Sequence, residues 1–143
     1  MVGIDLGERR IGVAVSDSAG TLASPRATIE RSGDPDADRA AVVAVVDEAG
    51  AATVVVGLPL RMDARAGPAA RAAQAEADAL ADALASRRVT VETFDERLTT
   101  VSAARSLADA GHPARRQRGR IDQAAAAVML QAWLDRRAGG RGA

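Results

Sequence analysis

The stretch GIDLGERRIGVAVSD, residues 3–17, decides the fold. Its opening, VGIDL from residue 2, is short and apolar and is broken by Gly7. Ile11, Val13 and Val15 then alternate with small residues, which is the period of a strand. GERR between the two runs reads as a hairpin turn. SPRATIE (24–30) reads as a third strand, held to an edge of the sheet because Pro25 cannot donate to a ladder on that side. Three antiparallel strands in a meander therefore open the chain.

After residue 30 strands and helices alternate. Asp34 is placed as an N-cap with Pro35 at the first helical position. Val42, Val45, Val46 and Ala49 follow at helical spacing, and Gly50 ends that helix. TVVVGLP (53–59) is a continuous β-branched run, as expected of a central strand buried on both faces. Residues 61–68 read as a loop, 69–87 as an alanine-rich helix carrying Leu80 and Leu84, and VTVETF (89–94) as a fifth strand. A helix over 100–110 closes at Gly111, HPARRQRGR (112–120) reads as a flexible basic loop, and 121–137 as the last helix. The order βββ-α-β-α-β-α-α implies an α/β fold: a mixed five-stranded sheet, a three-stranded antiparallel meander plus two parallel strands, with helices on both faces. No repeat or linker divides it, so 1–137 is expected to be one domain and 138–143 a disordered tail.

Composition narrows the chemistry. The chain of 143 residues has no cysteine, which excludes disulfides and cysteine-bound zinc and suits a reducing cytosol. The N-terminus lacks a charged leader before an apolar run, and no stretch reaches the about 18 apolar residues of a spanning helix. A cytoplasmic protein with no membrane partner is expected. One Phe and one Trp cannot build a base-stacking platform from aromatic clusters. All 19 basic residues are arginine, which excludes a catalytic or P-loop lysine. Net charge is zero but uneven: residues 1–96 carry 10 Arg against 16 acids, and 97–143 carry 9 Arg against 3. A basic final third suits local contact with a polyanion, or is chance unevenness on a solvated surface.

Three acids stand out by position. Asp5 lies inside an apolar strand, where an ionised carboxylate is costly unless paired. Glu96 follows the C-terminal end of the fifth strand, the end at which open α/β sheets bind ligands. Asp122 opens the last helix, where the dipole favours negative charge. Should the three meet at one end of the sheet, their repulsion demands cations. Oxygen-only ligands point to Mg²⁺ or Mn²⁺, and two such ions roughly 4 Å apart suit phosphodiester cleavage. Plainer readings stand beside this one. Asp5 pairs with an arginine or caps a turn, Glu96 pairs with Arg97 or Arg118, and Asp122 is an ordinary first-turn acid. Asp95 is a rival to Glu96, since alternation puts the two on opposite faces without saying which face holds the site. His112, the lone histidine, reads as a solvated loop residue.

Four segments in order, GIDLGERRIGVAVSD (3–17), VVVGLPLRMD (54–63), DERLTT (95–100) and RGRIDQAAAAVML (118–130), resemble the YqgF/RuvX family. Its members are described as Holliday junction resolvases or pre-16S rRNA nucleases. The resemblance implies an RNase H-like fold and divalent-metal-dependent nuclease activity, with Asp5, Glu96 and Asp122 as catalytic metal ligands and Asp5 central. Arg61 stands where Asn is common, Ala64 where Gly is common, and Arg118 and Arg120 where Lys is frequent. On this reading Arg97, Arg118 and Arg120 contact backbone phosphates, which positions a substrate without selecting a sequence. The implied role is 5′-end processing of precursor 16S rRNA. Holliday junction resolution by a dimer is the alternative, so monomer or homodimer stays open, as does RNA against branched DNA. Two further readings are an actin-like ATPase, which needs a second domain, and a catalytically silent RNA- or transcription-associated binding module.

Overall fold

The computed structural model describes residues 1–60, 65, 67–99 and 115–141, with side chains of the last segment described from 122 to 139. Its strands are β1 (Val2–Leu6), β2 (Arg10–Ser16), β3 (Ala23–Glu30), β4 (Thr53–Leu58) and β5 (Thr90–Asp95). Its helices are α1 (Pro35–Ala49), α2 (Pro68–Leu84) and α3 (Arg115–Arg141). One sheet runs β3-β2-β1-β4-β5. The meander β1–β2–β3 is antiparallel, and β1, β4 and β5 are parallel to one another. This is the expected mixed sheet, and β3 is an edge strand as Pro25 requires. The ladder slips between Val13 and Ala14, leaving Arg26 as the extra residue beside that proline.

Alternation along β1 assigns the two faces. Val2 and Ile4 point to one side with Val13, Val54 and Val56, and there meet Val42 and Val46 of α1 and Ala77, Leu80 and Leu84 of α2. Gly3 and Asp5 point to the other side, which α3 covers with Ala125, Ala126, Met129, Leu130 and Leu134 against Ala14 and Val55. α1 starts and stops where its caps say. Asp34 accepts from the Asp36 N–H at 3.0 Å, Pro35 follows it, and Gly50 closes the helix at φ 60°.

The chain's last third departs from expectation. α3 begins at Arg115, so 115–120 are helical rather than a basic loop, and it runs to Arg141, so 138–141 are helix rather than tail. The polar run RRQRGR has no apolar period to betray a helix, and arginine and glutamine are good helix formers that sustain the turns across Gly119. The expected helix over 100–110, loop residues 112–114, Arg61 and Ala64 lie outside the described residues.

Candidate active site

Small residues bring α3 down onto the sheet. A Cβ on Gly3 would stand 2.8 Å from Leu130 Cβ, and a Cβ on Gly12 would run into the carbonyl oxygen of Asp122. Leu130, Ala126 and Asp122 are four residues apart, about 6 Å of helix per step, which matches the about 6.7 Å from Gly3 to Asp5 along a strand. α3 thus runs antiparallel to β1 and delivers Asp122 beside Asp5. Asp122 lies two turns inside this helix, so the dipole argument for a first-turn acid does not place it. Packing on Gly12 does.

Glu96 arrives from the other side. Gly12 pairs with Asp5 across the antiparallel ladder, so both face α3. On the parallel side Gly3 pairs with Val55, and continuing that register sets Gly57 beside Asp5. A Cβ on Gly57 would stand 2.6 Å from Glu96 Oε1. Asp5 therefore sits between two glycines, with the Asp122 backbone over one and the Glu96 carboxylate over the other. All three acids belong to the same face and the same end of the sheet. Asp5 is 1% exposed, Glu96 4%, and Asp122 is half-buried.

The neighbouring carboxylates Asp95 and Glu96 are driven apart. Asp95 accepts from Arg97 Nη2 at 2.6 Å, from its Nε at 3.0 Å and from its backbone N–H at 2.9 Å. These bonds hold its carboxyl below the usual range. Glu96 is pushed up, first by burial and second by the negative charge of Asp95. Asp95 is thus engaged by Arg97 while the Glu96 carboxylate lies over Gly57, beside Asp5. That answers which of the pair faces Asp5. It also means that Arg97, foreseen as a phosphate contact, already has a carboxylate partner. The side chains of Arg118 and Arg120 lie outside the described residues.

The donor set suits a hard divalent cation: three carboxylates, no nitrogen or sulfur, in a site walled by backbone and apolar side chains. Among the described residues, however, no three acidic or histidine side chains are drawn close enough to form a ready-made metal cluster. The glycines were the signal that a reading of the acids alone missed. Gly3, Gly12 and Gly57 each interrupt an apolar strand, the mark of a close backbone approach.

This sheet, an antiparallel meander continued by two parallel strands and flanked by helices, is an RNase H-like fold. The chain belongs to the RuvX family, described as Holliday junction resolvase, which it matches over residues 1–136. A relative in Mycobacterium sp. (strain KMS), named "Putative pre-16S rRNA nuclease", is 49% identical over 136 residues, 95% of this chain and 79% of that protein. Relatives of the same name in Myxococcus xanthus (48%, covering 94% of this chain and 86% of the relative) and Anaeromyxobacter sp. (strain Fw109-5) (46%, 95% and 96%) are similar over nearly the whole chain. Among solved structures, Thermus thermophilus RuvC in complex with a Holliday junction substrate matches with a TM-score of 0.59 at 18% identity, over 97% of this chain and 96% of that one. The yeast mitochondrial Holliday junction resolvase Ydc2 matches with a TM-score of 0.53 at 11% identity, over 93% and 76%. At those identities the likeness is one of fold. The chain is a hydrolase of the nuclease class whose substrate is nucleic acid. No helix among the described residues is long and apolar enough to cross a membrane.

Proposed function

We propose that this chain is a cytoplasmic, divalent-metal-dependent nuclease that hydrolyses phosphodiester bonds in structured nucleic acid, and that its task is 5′-end processing of precursor 16S rRNA. The observation that supports it is the placement of Asp5 between Gly12 and Gly57, with Asp122 and Glu96 brought over those two glycines. Asp5, Glu96 and Asp122 are the residues that would hold Mg²⁺ or Mn²⁺, and two bound ions would supply neutralisation of phosphate charge and activation of water. Asp5 is the central ligand, because β1 fixes it rigidly between its two partners. Burial favours the protonated form of Glu96, so cation binding and the ionisation of this carboxyl are linked. Arg97 reaches a backbone phosphate only by exchanging it for Asp95, which makes Asp95 a place-holder for substrate charge. Arg118 and Arg120 complete the phosphate contacts from the N-terminal turns of α3.

The rRNA assignment follows the names of the relatives at 46–49% identity. Junction resolution is the second reading, favoured by the family description and by the RuvC complex. It requires a dimer presenting two sites to one junction, and the rRNA role does not. A cleavage assay on labelled 5′-extended precursor rRNA and on a four-way DNA junction, run beside light scattering, separates them. Cleavage of the rRNA precursor with the junction left intact is expected. Symmetric nicking of the junction by a dimer, with the precursor untouched, contradicts the rRNA role and leaves the nuclease. A silent binding module gives neither cleavage nor stabilisation by Mn²⁺.

A further inference from the structure

The chain's only two aromatic residues, far apart in sequence, line one pocket. Phe94 and Trp133 border a cavity of about 590 Å³ together with Thr90, Glu92, Arg136 and Arg137. It opens because α3 packs across β1, β2 and β3 and makes only minor contact with β4. The β4–β5 half of this face is left beside the helix. The pocket is lined from the two elements that also lead to Glu96 and Asp122, β5 and α3. On the sheet, Thr90, Glu92, Phe94 and Glu96 follow one another at two-residue spacing. On the helix, Asp122, Ala125, Met129, Trp133 and Arg136 recur at three- and four-residue spacing and share one stripe. Trp133 lies 11 residues from Asp122, about 16 Å along the helix axis.

The lining has the chemistry of a nucleotide site. Arg137 covers the indole of Trp133, its Cζ 5.1 Å from the ring centroid, and donates to Met1 Sδ at 3.7 Å, so the ring is braced. Arg136 and Glu92 are exposed and line the same cavity; among the described residues neither side chain takes part in a hydrogen bond or salt bridge, although the charge of Arg136 is felt by Asp95. A guanidinium suits a phosphate, a carboxylate accepts from the amino group of a base, and an aromatic ring face not covered by Arg137 stacks with a base. One stacking position is compatible with a chain that cannot build an aromatic platform. We propose that this pocket binds one unpaired nucleotide of the substrate strand, with the base against Trp133 and Phe94, its amino group on Glu92 and a phosphate on Arg136. The inference rests on the nuclease reading for its substrate. It adds a second contact with the substrate strand about 16 Å from the cleavage site.

Trp133 is the sole tryptophan, so its fluorescence reports on this pocket alone. The test titrates the full chain, in EDTA, with a single-stranded RNA of about 10 nucleotides, a length that reaches from the carboxylates past the pocket. Arg136→Ala, Glu92→Ala and Asp5→Asn are titrated alongside, and metal-dependent cleavage is measured in parallel. The expected result is saturable quenching, weakened about tenfold in Arg136→Ala and kept in Asp5→Asn. Glu92→Ala should lose preference for cytidine-rich over uridine-rich RNA. Both pocket substitutions are at exposed positions, and unchanged thermal melting confirms their folding. Cleavage without quenching, or quenching indifferent to Arg136→Ala and Glu92→Ala, overturns the subsite and leaves the nuclease reading standing. Quenching with the expected variant pattern but no cleavage supports the subsite while the nuclease reading fails.

Discussion

Glu96 carries the electrostatic tension of the site. Burial and Asp95 raise its carboxyl, so the folded metal-free protein binds that proton more tightly than the unfolded chain does. The contribution is intact below the ordinary glutamate range and is lost as pH climbs from there through the raised value, so stability falls across that window. Urea midpoints measured in EDTA across that window should decline with rising pH, and Glu96→Gln should flatten the decline and raise stability at its upper end. Excess Mn²⁺ should restore the wild type there and leave Glu96→Gln unaffected. A wild-type curve that rises through the same window would contradict the burial argument. Sequence alternation separated Asp95 from Glu96 but could not say which was buried. That depended on Arg97, which folds back to Asp95 through a 3-10 turn over Glu96–Leu98, and on Gly57, which makes room for the other.

At the scale of elements, glycine sets how α3 meets the sheet. Gly12 is the tightest point, since its missing side chain is filled by the Asp122 carbonyl, and backbone has little freedom to give way. Gly12→Ala should therefore push the front of α3 off β2 and carry Asp122 away from Asp5. The expected cost is about 1–3 kcal/mol of stability, as for overpacked cores, with loss of metal-dependent stabilisation. Denaturant midpoints and Mn²⁺-dependent melting check both. Retained activity in Gly12→Ala would show that Asp122 is positioned by something else. The later turns of α3 are pinned independently: Gln131 Oε1 accepts from Ala23 N–H at 2.9 Å and its Nε2 donates to Thr21 O at 2.9 Å. Strands and the capped helix α1 were legible in sequence because their signals are local: alternation, Asp34, Pro35 and Gly50. The start of α3 was not, because arginine-rich turns expose no apolar stripe. Its close seating was not either, because it depends on which glycines come opposite one another in the register.

For the whole molecule, one sheet does two jobs. Its α1/α2 face is an aliphatic core of Val, Ile and Leu that fixes β1 and β4. Its α3 face trades bulk for glycine and alanine, and at one end of that face the polar chemistry is gathered. The central claim is that Asp5, held between the positions of Glu96 and Asp122, is the residue on which cleavage depends. The direct measurement compares wild type with Asp5→Asn, purified identically, on a labelled 5′-extended precursor rRNA in Mn²⁺, Mg²⁺ and EDTA. The account predicts cleavage by the wild type in either metal and none in EDTA. In Asp5→Asn it predicts a loss of at least about 100-fold, with melting in EDTA no worse than that of the wild type. Cleavage that persists in Asp5→Asn at the wild-type rate would contradict it and place the active site elsewhere.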